Sequence, residues 1–265
     1  MSQSVRSGTS SETTAKNYPS CGLWPWAAQM KHSCDSNVRY SFINDMMIVR
    51  AARNIPRDTE LTIWHQSPLI TEQIDKRMVI PRLNFECNCP VCTDILNTSK
   101  KGSRKRARLR LEILSTLNCV KPDTEKVEDL LAEIEKTFVK PVHESRRFAL
   151  WELYHKLAEV YLSRARRPKM VECLLKSLEA LGFIIENAII PNTRRLEVKK
   201  WGIAIPNTVL TWILISLYYK YEGYKDKEKQ AAEYARITYR ICIGEDDTFD
   251  QYHSAYFMFS QSTET

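Results

Sequence analysis

Cys87, Cys89 and Cys92, in the run Phe85-Glu86-Cys87-Asn88-Cys89-Pro90-Val91-Cys92, have the spacing that brings three thiolates to one ion. Zinc suits such a set, because its tetrahedral preference and borderline softness match sulfur. Three ligands leave one position open. Cys34, in His32-Ser33-Cys34-Asp35-Ser36-Asn37, can close it and tie two distant parts of the chain together. The plainer reading is three free cysteines packed in a core, which their size and softness allow. Against it, Asn88 and Pro90 make the segment a polar turn. A four-thiolate site keeps no position for a water nucleophile, so its role would be structural. The histidines at 143, 155 and 253 have no further ligand at metal spacing. No Ser-His-Asp order, P-loop or dinucleotide fingerprint is present, and no catalytic residue is assigned.

The elements that would hold these residues follow from periodicity. Residues 1–18 are polar and are expected to be disordered. Residues 40–44 and 46–53 read as two strands joined by a tight turn, and 60–64 as a third. Residues 71–83 read as a helix with Ile74 and Met78 inward, delivering the chain to the cysteines. From Ser103 the period is helical. Residues 109–117 form one amphipathic stretch, and Pro122-Asp123 starts another with Val127, Leu130, Leu131, Ile134 and Phe138 on one face. A weak repeat follows: Ala158, Tyr161, Cys173, Ser177 and Ala180 align with Ser216, Tyr219, Ala231, Ala235 and Thr238 at an offset of 58 residues. Small residues at such positions let paired helices approach closely. Chance is the alternative, since small residues are common on helices.

The chain of 265 residues carries eight cysteines and a formal charge of +7. That length can bury a real core. With no apolar leader segment, the cysteines point to a reducing compartment, nucleus or cytoplasm, where thiols bind metal and do not pair. Cys21, Cys119, Cys173 and Cys242 are read as packing residues. The most apolar stretch, 209–219, is too short to cross a bilayer, so a soluble protein with no membrane partner is expected. The excess charge sits in one run: Lys100, Lys101, Arg104, Lys105, Arg106, Arg108 and Arg110, with no acid among them. It reads as a solvated linker leading into a helix, with a nuclear-import signal or phosphate contact as the alternative. No aromatic residue interleaves it, so a nucleic-acid partner is not expected.

His32-Ser33-Cys34-Asp35-Ser36-Asn37 resembles the N-H-S-C-x-P-N motif of SET-domain protein-lysine methyltransferases. Ala51-Ala52-Arg53-Asn54-Ile55, followed by Glu60-Leu61-Thr62-Ile63, resembles that family's A-x-R-x-I-x-x-G-E-E-L-T-x-x-Y segment, and the cysteine turn falls where its post-SET zinc cluster belongs. The match covers about residues 21–95. It is strongest to fungal SET proteins with tetratricopeptide-like helices, relatives of the SET-and-MYND group. The resemblance implies an α+β chain: a partial, β-rich SET fold with its post-SET zinc turn at 19–96, then an all-α tetratricopeptide-like region at 97–265.

It also implies roles. Cys34, Cys87, Cys89 and Cys92 would hold zinc. His32 would offer backbone groups to the adenine of S-adenosylmethionine, and Phe85 would stack on it or pack in the core. The helical region would bind a protein substrate or partner. Three departures weigh against turnover. Lys31 stands where the family has asparagine, His65 where it has the tyrosine that lines the methyl path, and no G-x-G segment occurs in the chain. The chain is therefore expected to be an incomplete or inactive methyltransferase, or a SET remnant serving as a helical interaction adaptor.

Overall fold

β-Branched and aromatic residues crowd Val38–Ile43 (β2) and Met46–Ala51 (β3), and the two pair antiparallel from Val38↔Ala51 to Ile43↔Met46. This is the expected hairpin, begun two residues earlier. The computed structural model describes residues 22–43, 45–65, 67–68, 87–141, 144–244 and 248–258. The expected tail at 1–18, the helix at 71–83, Cys21 and Phe85 lie outside them.

The third strand is shorter than its sequence suggests and pairs elsewhere. After the single turn Pro25–Ala28 (α1), Lys31–His32 (β1) lies parallel to Thr62–Ile63 (β4), with Lys31 opposite Thr62 and His32 opposite Ile63. The chain between them carries the hairpin, so residues 33–61 leave the β1–β4 pair and return to it as a loop. Asn37 cinches that loop. Its amide donates to the Glu60 carbonyl at 2.8 Å, and its Oδ1 accepts the Thr62 N–H at 2.8 Å.

Helices follow the cysteine turn: Pro90–Asn97 (α2), Lys100–Leu117 (α3), Thr124–Glu135 (α4), Phe148–Ser163 (α5) and Arg167–Ala180 (α6). A hairpin of Ile184–Glu186 (β5) and Glu197–Lys200 (β6) precedes Pro206–Tyr221 (α7), Lys225–Cys242 (α8) and Thr248–Met258 (α9). The protein is thus mixed α+β with a helical C-terminal region. The basic run corrects a sequence reading: it is the N-terminal half of α3, not a linker. Ser99 caps that helix by accepting from Gly102 N–H at 3.1 Å. Arg106 is partnered, donating to Thr137 Oγ1 and its carbonyl at 2.8 Å with its guanidinium 3.8 Å over Phe138. Leu109, Ile113 and Leu117 form the buried stripe behind it. Asp123 caps α4 as its position suggests.

The offset of 58 residues is structural. α5 and α7 start at 148 and 206, and α6 and α8 at 167 and 225. The helix-to-helix turn repeats as well, since Ala165 and Gly223 both take positive φ, 54° and 78°. All ten aligned residues named above are buried, so the small ones line the contacts where the paired helices meet. Cys173 is likewise a packing residue. Cys119 is not, being exposed at the end of α3.

Buried arginines join the two regions. Arg39 on β2 donates to the Ala204 carbonyl at 2.9 Å and lies 3.8 Å over the Trp64 ring, and burial pushes its pKa down to about 10. Asp35 sits between Arg53 at 3.0 Å and Arg146 at 3.3 Å, the latter from the helical region. Arg146 crosses the backbone at Gly182, where a Cβ would fall 2.3 Å from its guanidinium carbon and the φ of +89° would itself strain any other residue.

Candidate metal centre

The looped segment and the cysteine turn converge on sulfur. Pro90 opens α2 immediately after Cys89, its ring fixing the first helical φ. This puts Cys89 just ahead of the helix and Cys92 in its first turn. Cys34, at the mouth of the loop, reaches the same point: its Sγ is 3.5 Å from that of Cys92. The four sulfurs of Cys34, Cys87, Cys89 and Cys92 all lie within 4.8 Å of one another. Four sulfurs on a tetrahedral zinc, each at about 2.3 Å, stand about 3.8 Å apart, so the donor set fits that ion with small adjustment. Cys34 and Cys92 are buried, and Cys87 and Cys89 half-buried. Hydrogen bonding within the cluster, from Cys34 first, holds the Cys87 thiol below its ordinary value and brings Cys89 down to about 6. Thiolate, the form a metal takes, is favoured there.

Around the sulfurs, contacts fix the backbone. The Trp64 indole N–H donates to the Cys34 carbonyl at 2.9 Å. The His32 ring lies against the cluster, with Nε2 3.6 Å from Cys34 Sγ, while its Nδ1 accepts the His65 backbone N–H at 3.2 Å. His65, at the position of the family's tyrosine, is exposed, and its Nε2 lies 2.9 Å from the Met30 carbonyl. The cation at Lys31 is compensated. Its Nζ is 2.8 Å from Glu60 Oε1, and that carboxylate raises the Lys31 pKa. Asn37, Arg39 and Trp64 organise the site and carried no role in the sequence reading. For Asn37 the signal was present, as the last residue of the His32–Asn37 motif.

A second concavity, of about 300 Å³, opens in the helical region beside Phe148, whose ring meets Trp64 edge-on at 6.3 Å. Arg110 and Glu152 pair at 2.6 Å on its wall. Trp151 Nε1 and His155 Nε2, from two further lining residues, are buried with no hydrogen-bond partner among the described residues. His155 Nδ1 faces Glu159 at 3.4 Å. No helix among the described residues is long and apolar enough to cross a membrane.

Comparison with known proteins gives these features a context. Residues 10–66 match the SET domain family model. A protein described as "Methyltransferase" from Gibberella zeae is 31% identical over 241 residues, which is 88% of this chain and 33% of that protein. Human histone-lysine N-methyltransferase SMYD3 is 34% identical over 71 residues, 27% of this chain and 17% of its own length. Arabidopsis thaliana histone-lysine N-methyltransferase ASHR1 is 30% identical over 73 residues, 28% of this chain and 15% of its own. The chain thus spans about a third of the first relative and a smaller part of the others. The SET match covers the loop that carries Cys34, and together these likenesses support a SET/SMYD-related protein.

Proposed function

We propose that this chain is a zinc-stapled SET protein of the protein-lysine methyltransferase lineage that does not turn over by itself. The observation that carries the reading is the convergence of Cys34 with Cys87, Cys89 and Cys92. Those four thiolates would hold the ion, and the ion would supply a cross-link between the loop at 33–61 and the cysteine turn. In this reading residues 19–96 are the C-terminal part of a SET domain after a tail at 1–18, and 97–265 are a tetratricopeptide-like region. S-adenosylmethionine, when bound, supplies an electrophilic methyl group. His32, through its backbone, and Phe85 are the residues assigned to hold it.

The chain's own groups argue against transfer. A methyl path needs a residue that orients the accepting amine and excludes water. His65 is turned to the Met30 carbonyl instead. The test is purified full-length chain with zinc content by elemental analysis, S-adenosylmethionine titrated by calorimetry, and labelled methyl transfer to protein substrates. One zinc per chain and no transfer is expected. Transfer abolished by His65→Ala would refute the non-catalytic part, and a metal-free protein the zinc part.

The cleft beside Phe148 supports a partner role for the helical region. Its wall sets the Arg110–Glu152 pair beside Trp151, so a protein segment with a polar and an apolar group could lie along it. Arg110→Ala or Trp151→Phe should weaken capture of such a partner in nucleus or cytoplasm. Crosslinking at the cleft that is indifferent to both changes would count against it.

A further inference from the structure

A backbone N–H can only donate, and the His65 N–H points at His32 Nδ1 from 3.2 Å. Nδ1 therefore carries the lone pair, which assigns the ring hydrogen to Nε2. That nitrogen lies 3.6 Å from Cys34 Sγ, and the ring also hydrogen-bonds to the Cys87 thiol of the same cluster. The ring is half-buried between β4 and the thiol cluster, and β1–β4 pairing holds its backbone, with His32 opposite Ile63.

We propose that the His32 side chain is an outer donor to the metal centre: an N–H···S bond to the Cys34 thiolate that retains the ion and sets the donor strength of that sulfur. The inference rests on the zinc reading above. Four thiolates on a divalent cation leave a net charge of −2, which is costly where Cys34 and Cys92 are buried. A neutral imidazole N–H offsets part of it without competing for the ion. Outer hydrogen bonds of this kind orient first ligands and tune their basicity. The residue at the family's tyrosine position takes part through its main chain alone, because the group that fixes the tautomer is the His65 N–H. Its side chain anchors to Met30 instead. The two histidines therefore have separable roles.

The test compares full-length wild type with His32→Phe, His32→Gln and His65→Ala, all loaded with one equivalent of zinc and matched by circular dichroism. The readouts are competition with a chromogenic chelator and the sulfur-to-metal charge-transfer band after cobalt substitution. His32→Phe should bind zinc about 10–100-fold more weakly, and its cobalt band should move to lower energy as the Cys34 sulfur loses its donor. Gln, which keeps an N–H at similar reach, should recover most of both, and His65→Ala should resemble wild type. A His32→Phe protein with unchanged affinity and band overturns this inference and leaves the zinc reading intact. A wild type that takes up no metal overturns both. If His65→Ala equals His32→Phe, the main-chain tautomer argument is wrong and the proposal falls.

Discussion

Asn37→Ala removes the clasp of the loop. Its side chain makes two bonds of 2.8 Å, one from the amide to Glu60 O and one from Thr62 N–H to Oδ1, at a residue only 7% exposed. Each bond contributes about 1 kcal/mol net, and the stranded partners add their desolvation cost, so the loss is about 2–4 kcal/mol. The backbone bond from Asn37 N–H to Thr62 Oγ1 at 3.3 Å survives and keeps the estimate at that level. At 1.4 kcal/mol per tenfold, local opening of the loop should rise about 30- to 700-fold. Amide hydrogen exchange reads this directly, at Thr62 and across β4, with zinc held saturating. Asn37→Asp keeps an acceptor for Thr62 but turns a carboxylate toward the Glu60 carbonyl, and should fare no better than alanine. A change below tenfold at Thr62, with the protein otherwise native, would refute the claim that this side chain closes the loop.

The repeat makes a backbone prediction. Gly223→Ala has open space for its Cβ, so the cost is φ alone (+78°), about 1–2 kcal/mol and a fall of a few degrees in Tm, while Ala165→Gly should hold or raise Tm. Arg110→Ala breaks a pair whose side chains are 14% and 27% exposed, for a loss of about 1–3 kcal/mol by urea unfolding. Burial lowers the His155 pKa against the opposing pull of Glu159. The unfolded chain therefore takes the proton first, so this contribution is constant above about pH 6.5 and is lost as pH falls below it. Melting of zinc-loaded protein between pH 7.5 and 5.5 should be shallower in His155→Gln than in wild type. Equal slopes would show that His155 keeps its unfolded pKa.

The helix pairs were legible because their evidence is local and periodic: small residues recur at Ala158, Ser177, Ser216 and Ala235 where helices touch. The β2–β3 hairpin was legible for the same reason. The β1–β4 pair was not. Two residues carry no period, and parallel pairing across a loop depends on Asn37, whose bonds span 25 and 23 positions. The start of α3 was missed because a run of cations in the first turns opposes the helix dipole and repels itself at i, i+4. What offsets that cost lies elsewhere in the fold: Ser99 as cap, Glu133 for Lys105, Glu152 for Arg110, and Phe138 with Thr137 for Arg106. At the sulfur cluster the four thiols were readable from residue type and spacing, whereas the orientation of the His32 ring depends on a main-chain donor from His65.

Cys34 is where the loop, the cysteine turn and the helical region meet. Its sulfur faces the cluster, and its carbonyl accepts from Trp64. Trp64 in turn lies under the Arg39 guanidinium and against the edge of Phe148, the first residue of α5. Arg39 then reaches Ala204, just ahead of α7. Each contact buries a group that would be costly to leave unpaired, so a shift at the sulfur is not absorbed locally. Zinc bound at Cys34 would thus stabilise more than the turn it closes. It would hold Trp64 in the position that Phe148 and Arg39 need, and through them set the seat of both helix pairs on the SET segment. A helical region that keeps its stability when the metal is stripped would show that this chain of contacts transmits nothing.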